Sequence, residues 1–169
     1  MWEPLFSNVP VLNLVGNHEI ESWGIGAVLN ATTTSFTYPN NYPFQAYAAR
    51  LPVHTVNKDF GDIDQSLYYS TTISSTVRLI VINNYVPFHP GTPQHQWIVK
   101  ELNGIDREAT PWVFVMLHSP FYHTYYTHYK EMECFRSIYE PLFYKAGVDL
   151  VLNGHVHAYE VGGRIQAHL

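Results

Sequence analysis

At 169 residues the chain amounts to one domain, and with 46% hydrophobic residues it is a folded segment, not a disordered one. Its formal charge of -5 and pI near 6.0 leave no basic footprint for nucleic acid. Cys134 is the single cysteine, which excludes an intrachain disulfide; it is expected to be a free buried thiol.

Charged residues make up only 14%, against roughly 25% in an average soluble domain. Aromatics, at 15% with 13 Tyr, fill much of that gap, and ten histidines are the more telling count. No apolar run approaches the roughly 18 residues that a membrane span needs. Residues 1–25 lack the basic head and apolar stretch of a signal peptide. Asn30-Ala31-Thr32 is a glycosylation sequon, a triplet common by chance.

In chain order, the first predicted strand is Val9 to Val15, which runs straight into Gly16-Asn17-His18-Glu19. A glycine there permits a sharp turn, and potential ligands follow at once. Ser22 to Asp64 is rich in Thr, Asn, Tyr and Pro without a sustained period and reads as long loops. Ser66 to Thr71 and Thr76 to Asn83 read as strands, with Ser74-Ser75 between them as a hairpin turn. Thr92-Pro93 forms a cap and first helical position, followed by the stripe Trp97, Ile98, Leu102 and Ile105.

Trp112 to Leu117 is a further strand and delivers His118 at its end. Met132, Phe135, Tyr139, Leu142 and Ala146 recur at spacings of three and four, and Gly147 terminates that helix. Pro141 within the pattern should kink or divide it. Val148 to Leu152 suits a strand packed on both faces, broken by Asn153-Gly154. In extended backbone, side chains two apart point the same way, so His155 and His157 should project together. Strands alternating with helices make the domain α/β.

Separate strand ends thus present Asn17 with His18, His118, and His155 with His157. Imidazole suits zinc and iron, and an amide oxygen is a harder ligand. A lone histidine at a strand end is more often a satisfied polar group than a ligand. The His-x-His pair reverses those odds. His54, His89, His95 and His168 carry no partner pattern and read as solvated or core-edge groups. His123 and His128 lie in the Tyr-rich loop after His118, within sequence reach of the same site. Gly61-Asp62-Ile63-Asp64 reads as turn chemistry.

Taken together and in order, Gly16-Asn17-His18-Glu19, Val115-Met-Leu-His118-Ser-Pro and Gly154-His155-Val-His157 resemble the last three of five motifs of the purple acid phosphatases, within the calcineurin-like metallophosphoesterases. Asn8-Val-Pro, Tyr68-Tyr69-Ser70, Thr110-Pro-Trp112 and Val148-Asp-Leu-Val-Leu agree as well, so the likeness spans roughly Trp2 to Glu160. It implies residues 1–160 as part of a four-layer α/β/β/α sandwich, with 161–169 a divergent tail. The family's site holds Fe(III) beside a divalent Zn, Mn or Fe. By resemblance, Asn17, His118 and His155 bind the divalent ion and His157 the ferric ion. His18 contacts the phosphate, and His128 serves as an acid near the leaving group; where many relatives carry a second histidine, this chain has Thr127.

Such a site hydrolyses small phosphomonoesters, because two cations draw density from phosphate oxygens and acidify a bound water, and a histidine protonates the leaving alcohol. The family implies a secreted, vacuolar or lysosomal location for the full-length protein. The family's Asp-x-Gly and Gly-Asp-x-x-Tyr motifs, which supply the bridging aspartate and a tyrosinate, have no counterpart in residues 1–15. The chain is therefore expected to be a piece of the catalytic domain with an incomplete ferric site and apolar faces left uncovered. A non-catalytic chain binding at most one divalent ion, and a phosphodiesterase of the same superfamily, are the alternatives.

Overall fold

The structure, a computed structural model, describes Pro4 and residues 7–20, 28–30, 35–37, 44–51 and 67–163. Its centre is a four-stranded mixed sheet. The hairpin of β3 (Tyr69–Ile73) and β4 (Val77–Val81) turns at Ser74 and Ser75, whose φ values of 52° and 59° are those a type I′ turn requires. Beyond the hairpin, β4 pairs in parallel with β5 (Trp112–Met116), and β5 in parallel with β6 (Leu150–Leu152).

Parallel neighbours need crossovers, and helices supply both of them. α2 (Pro93–Asn103) begins with Pro93 just after its cap residue Thr92, where a missing N–H does no harm, and stops at Gly104. α3 (Glu133–Ala146) ends at Gly147, whose φ of 66° is the left-handed conformation a helix terminator adopts. Trp97, Ile98 and Leu102 from α2 and Phe135, Tyr139 and Phe143 from α3 are buried with Ile80, Val113, Val115 and Leu117, which share one face of the sheet. Phe135 and Tyr139 stack with ring centroids 4.2 Å apart, a pair worth about 0.5–1.5 kcal/mol beyond its buried area. Before the sheet come a two-stranded hairpin, β1 (Val28–Asn30) with β2 (Ser35–Thr37), and the short α1 (Gln45–Arg50), in a stretch read from sequence as loops alone. No helix among the described residues is long and apolar enough to cross a membrane.

Several expectations are corrected. Val9 to Val15 forms no strand, because residues 10–16 find no ladder partner among the described residues. The segment is instead tied to β3, with Tyr69 Oη donating to Asn13 O at 2.7 Å, and Leu14 packs on the sheet face opposite the helices, beside Tyr69, Leu79 and Val81. β6 is shorter than Val148 to Leu152 and is not packed on both faces: Leu150 and Leu152 are each 42% exposed, since β6 has only one neighbouring strand in the described sheet. Cys134 is exposed, not buried, because Phe135 and Tyr139 take the core side of α3. Gly61 to Asp64, His54 and His168 lie outside the described residues.

Pro141 does not divide α3, which runs unbroken from Glu133 to Ala146. Anchoring at Phe135, Tyr139 and Phe143 outweighs the lost hydrogen bond. Pro141→Ala should therefore stabilise the chain by about 1–3 kcal/mol, because it restores a helical N–H and removes the ring's conflict with the preceding turn. Urea denaturation measures this directly; an unchanged midpoint would mean that the helix is already bent to suit the proline.

Candidate metal centre

Because β4, β5 and β6 run parallel, their carboxyl ends lie at one edge of the sheet, where open α/β sheets keep their sites. β4 leads to Asn83-Asn84, β5 to His118, and β6 through Asn153-Gly154 to His155. Hydrogen bonds past the strand ends hold these loops together: His118 N and Ser119 N donate to Asn84 Oδ1 at 2.9 and 3.0 Å, and Gly154 N donates to His118 O at 2.8 Å. Asn84 is in turn set by its neighbour. Gln94 of α2 takes both backbone groups of Asn83, accepting from N at 2.8 Å and donating to O at 2.9 Å.

Asn17 arrives from the segment lying beside the sheet. A 3-10 turn, Asn17–Glu19, is closed by Glu19, whose carboxylate accepts from Gly16 N at 2.8 Å. Gly16 has an ordinary φ of -104°, so its smallness matters for space: a Cβ there would sit 2.8 Å from His118 Cε1. The close approach brings Asn17 Oδ1 to 3.0 Å from His118 Nε2 and 3.2 Å from His155 Nδ1. Two donors bound to one ion at about 2.05 Å in tetrahedral geometry lie roughly 3.3 Å apart. Asn17 Oδ1 thus stands about one coordination edge from each of the two ring nitrogens, the spacing that a shared divalent cation would require. Burial holds His118 below the ordinary histidine range, with the neighbouring His155 adding to the effect, which favours the neutral ring that has a lone pair to give.

His155 itself adopts φ 63°, and residues 155–158 form bends. The expected extended His-x-His geometry is therefore absent. His155 turns inward, its side chain 5% exposed, while His157 is exposed. His18 is exposed beside Asn17 and close enough to His118 to oppose its protonation. From the loop after β5, His128 packs against His155 with ring centroids 4.2 Å apart and the planes tilted by 55°. His123 reaches this loop, not the donor trio: its Nε2 lies 3.2 Å from His128 O. His89 stacks on Phe88 and His95 meets the edge of Tyr139, both at the border of the core.

Two contributors were not singled out from the sequence. Asn84 is 1% exposed and organises the backbone of His118; its only signal was a polar pair ending an apolar strand. Glu131 Oε2 lies 2.6 Å from His128 Nδ1 and 3.1 Å from His155 Nε2. Its position three residues after His128 was the available hint.

Residues 1–159 match the family described as Calcineurin-like phosphoesterase. Purple acid phosphatase 15 of Arabidopsis thaliana is 32% identical over 163 residues, 96% of this chain and 27% of that protein. Fe(3+)-Zn(2+) purple acid phosphatase 12 of the same plant is 44% identical over 123 residues, 73% of this chain and 25% of that protein. Phosphoenolpyruvate phosphatase of Allium cepa is 39% identical over 158 residues, 92% of this chain and 29% of that protein. The chain thus spans between a quarter and a third of the length of these relatives. Among solved structures, a purple acid phosphatase isolated from yellow lupin (Lupinus luteus) seeds superposes with a TM-score of 0.60 at 24% identity, covering 92% of this chain and 26% of that one.

Proposed function

Since the chain belongs to the calcineurin-like phosphoesterase family, we propose that it carries the divalent-ion side of an acid phosphatase site that hydrolyses phosphate monoesters. The observation that carries this reading is Asn17 Oδ1 lying about one coordination edge from both His118 Nε2 and His155 Nδ1, whose rings are neighbours with centroids 5.0 Å apart. These residues hold a divalent Zn, Mn or Fe, and His157 is the chain's ligand to an adjoining ferric ion. A bound divalent ion supplies Lewis acidity to the phosphate oxygens. His18, exposed beside Asn17, hydrogen-bonds the phosphate, and His128 gives a proton to the departing alkoxide. With Thr127 before it, His128 carries that proton alone.

A second reading has its own support: His157 is exposed and belongs to no described cluster of donors, which favours a chain that binds one divalent ion without turnover. Zinc titration of the metal-free chain, followed by assays with phenyl phosphate and with a bis-aryl phosphate from acid to neutral pH, separates the readings. Stoichiometric binding with monoester turnover supports the phosphatase. Binding of one ion with no turnover supports the second reading, preference for the diester indicates a phosphodiesterase, and no binding at all removes the metal centre.

A further inference from the structure

Glu131 touches two of the site's imidazoles through a single oxygen. Its Oε2 lies 3.1 Å from His155 Nε2 and 2.6 Å from His128 Nδ1, and those two ring nitrogens are themselves 3.2 Å apart. A carboxylate can only accept hydrogen bonds, so both ring nitrogens must carry their protons toward it. A neutral imidazole has one N–H. With that proton on Nε2 of His155, the lone pair is left on Nδ1, the atom facing Asn17 Oδ1 at 3.2 Å.

We propose that Glu131 is a positioning residue that selects the Nε2–H tautomer of His155, so that Nδ1 is the atom offered to a divalent ion. This rests on the metal reading above. The opposite tautomer would direct a lone pair at the carboxylate and place an N–H between His155 and Asn17, closing the site. Packing gives the selection its leverage. The His155 side chain is only 5% exposed and lies between the rings of His118 and His128, with centroids 5.0 and 4.2 Å away, so the ring cannot easily turn to offer its other nitrogen. Without the carboxylate, His128 and His155 could hydrogen-bond each other across their 3.2 Å separation in either sense, and the tautomer would no longer be set. A carboxylate behind a ligating imidazole also raises the basicity of that ligand.

The test measures cobalt binding by its visible absorption, with zinc by competition, on the full chain and on Glu131→Gln, Glu131→Asp, His128→Ala and His118→Ala. Ring nitrogen NMR shifts of His155 are recorded without metal. Glu131→Gln should weaken binding about 10–100-fold and mix the His155 tautomers, with circular dichroism unchanged. Glu131→Asp should recover most of the affinity, and His118→Ala should lose it. Wild-type affinity in Glu131→Gln, with His118→Ala inactive in binding, overturns the role of Glu131 while leaving the metal centre intact. Binding that survives His118→Ala but fails in both Glu131→Gln and His128→Ala puts the ion among His128, Glu131 and His155, and also overturns the proposal. A wild-type chain that binds neither metal removes the metal reading and the proposal together.

Discussion

Replacing His118 with alanine should abolish divalent-ion binding, a loss well beyond the roughly 10–100-fold that removal of an outer partner costs. His118 supplies one of three converging donor atoms, and the remaining pair, an amide oxygen and one imidazole, is too weak a neutral chelate to hold the ion. The fold should survive, because His118 is tied to Asn84 and Gly154 through its backbone N–H and carbonyl, which alanine keeps. The ring itself occupies a notch between Gly16 and Gly154, next to a cleft that also reaches Met116 and Asn153, so water can replace it. Isothermal titration with zinc beside thermal unfolding makes the comparison. Wild-type zinc affinity in this variant would mean that the ion is held elsewhere.

Asn84→Ala should act in the opposite way, removing stability first and the site with it. One side-chain oxygen accepts from both His118 N and Ser119 N, at a residue only 1% exposed. Two donors left unpaired, one buried and one half-buried, cost about 1–3 kcal/mol each at most, hence roughly 2–6 kcal/mol as the upper range in total. Against a typical domain stability of about 5–15 kcal/mol that is a large share, and for a chain of this size it lowers the melting temperature on the order of 10 °C. Scanning calorimetry reads the shift. An unchanged melting temperature would show that the two N–H groups find other acceptors, and Asn84 would then lose its place as the organiser of the β5 end.

Much of the fold was legible because local signals and tertiary packing agreed. Thr92-Pro93 opens α2 and Gly147 ends α3, and Trp97, Ile98, Leu102, Phe135 and Tyr139 of the expected stripes are buried, although Ile105 lies past α2 and Phe143 is buried where Leu142 and Ala146 are only partly covered. Where they disagreed, a partner decided the outcome. Val9 to Val15 has a strand's composition but lies beside the sheet without a ladder, and β6 has an apolar sequence yet stays half uncovered at the sheet's edge. β-structure depends on what lies alongside it, which a segment's own residues cannot state. Pro141 shows the reverse case, a local signal that does not divide a helix carrying three buried aromatic anchors.

Within the site, the sequence by itself determined the donor types and their placement after apolar strands: an amide at Asn17 and imidazoles at His118 and His155, because ligand chemistry follows residue identity. Only the tertiary structure decided which of these atoms meet, and by which nitrogen. Parallel pairing aligned the ends of β5 and β6, and the left-handed backbone at His155 turned Nδ1 toward Asn17 and separated it from the extended alignment expected with His157. It also brought in Asn84 and Glu131, which reach His118 and His155 across 34 and 24 residues. The physical reason is range: composition and spacing report the chain's immediate neighbourhood, while a coordination shell is assembled from contacts across the sheet.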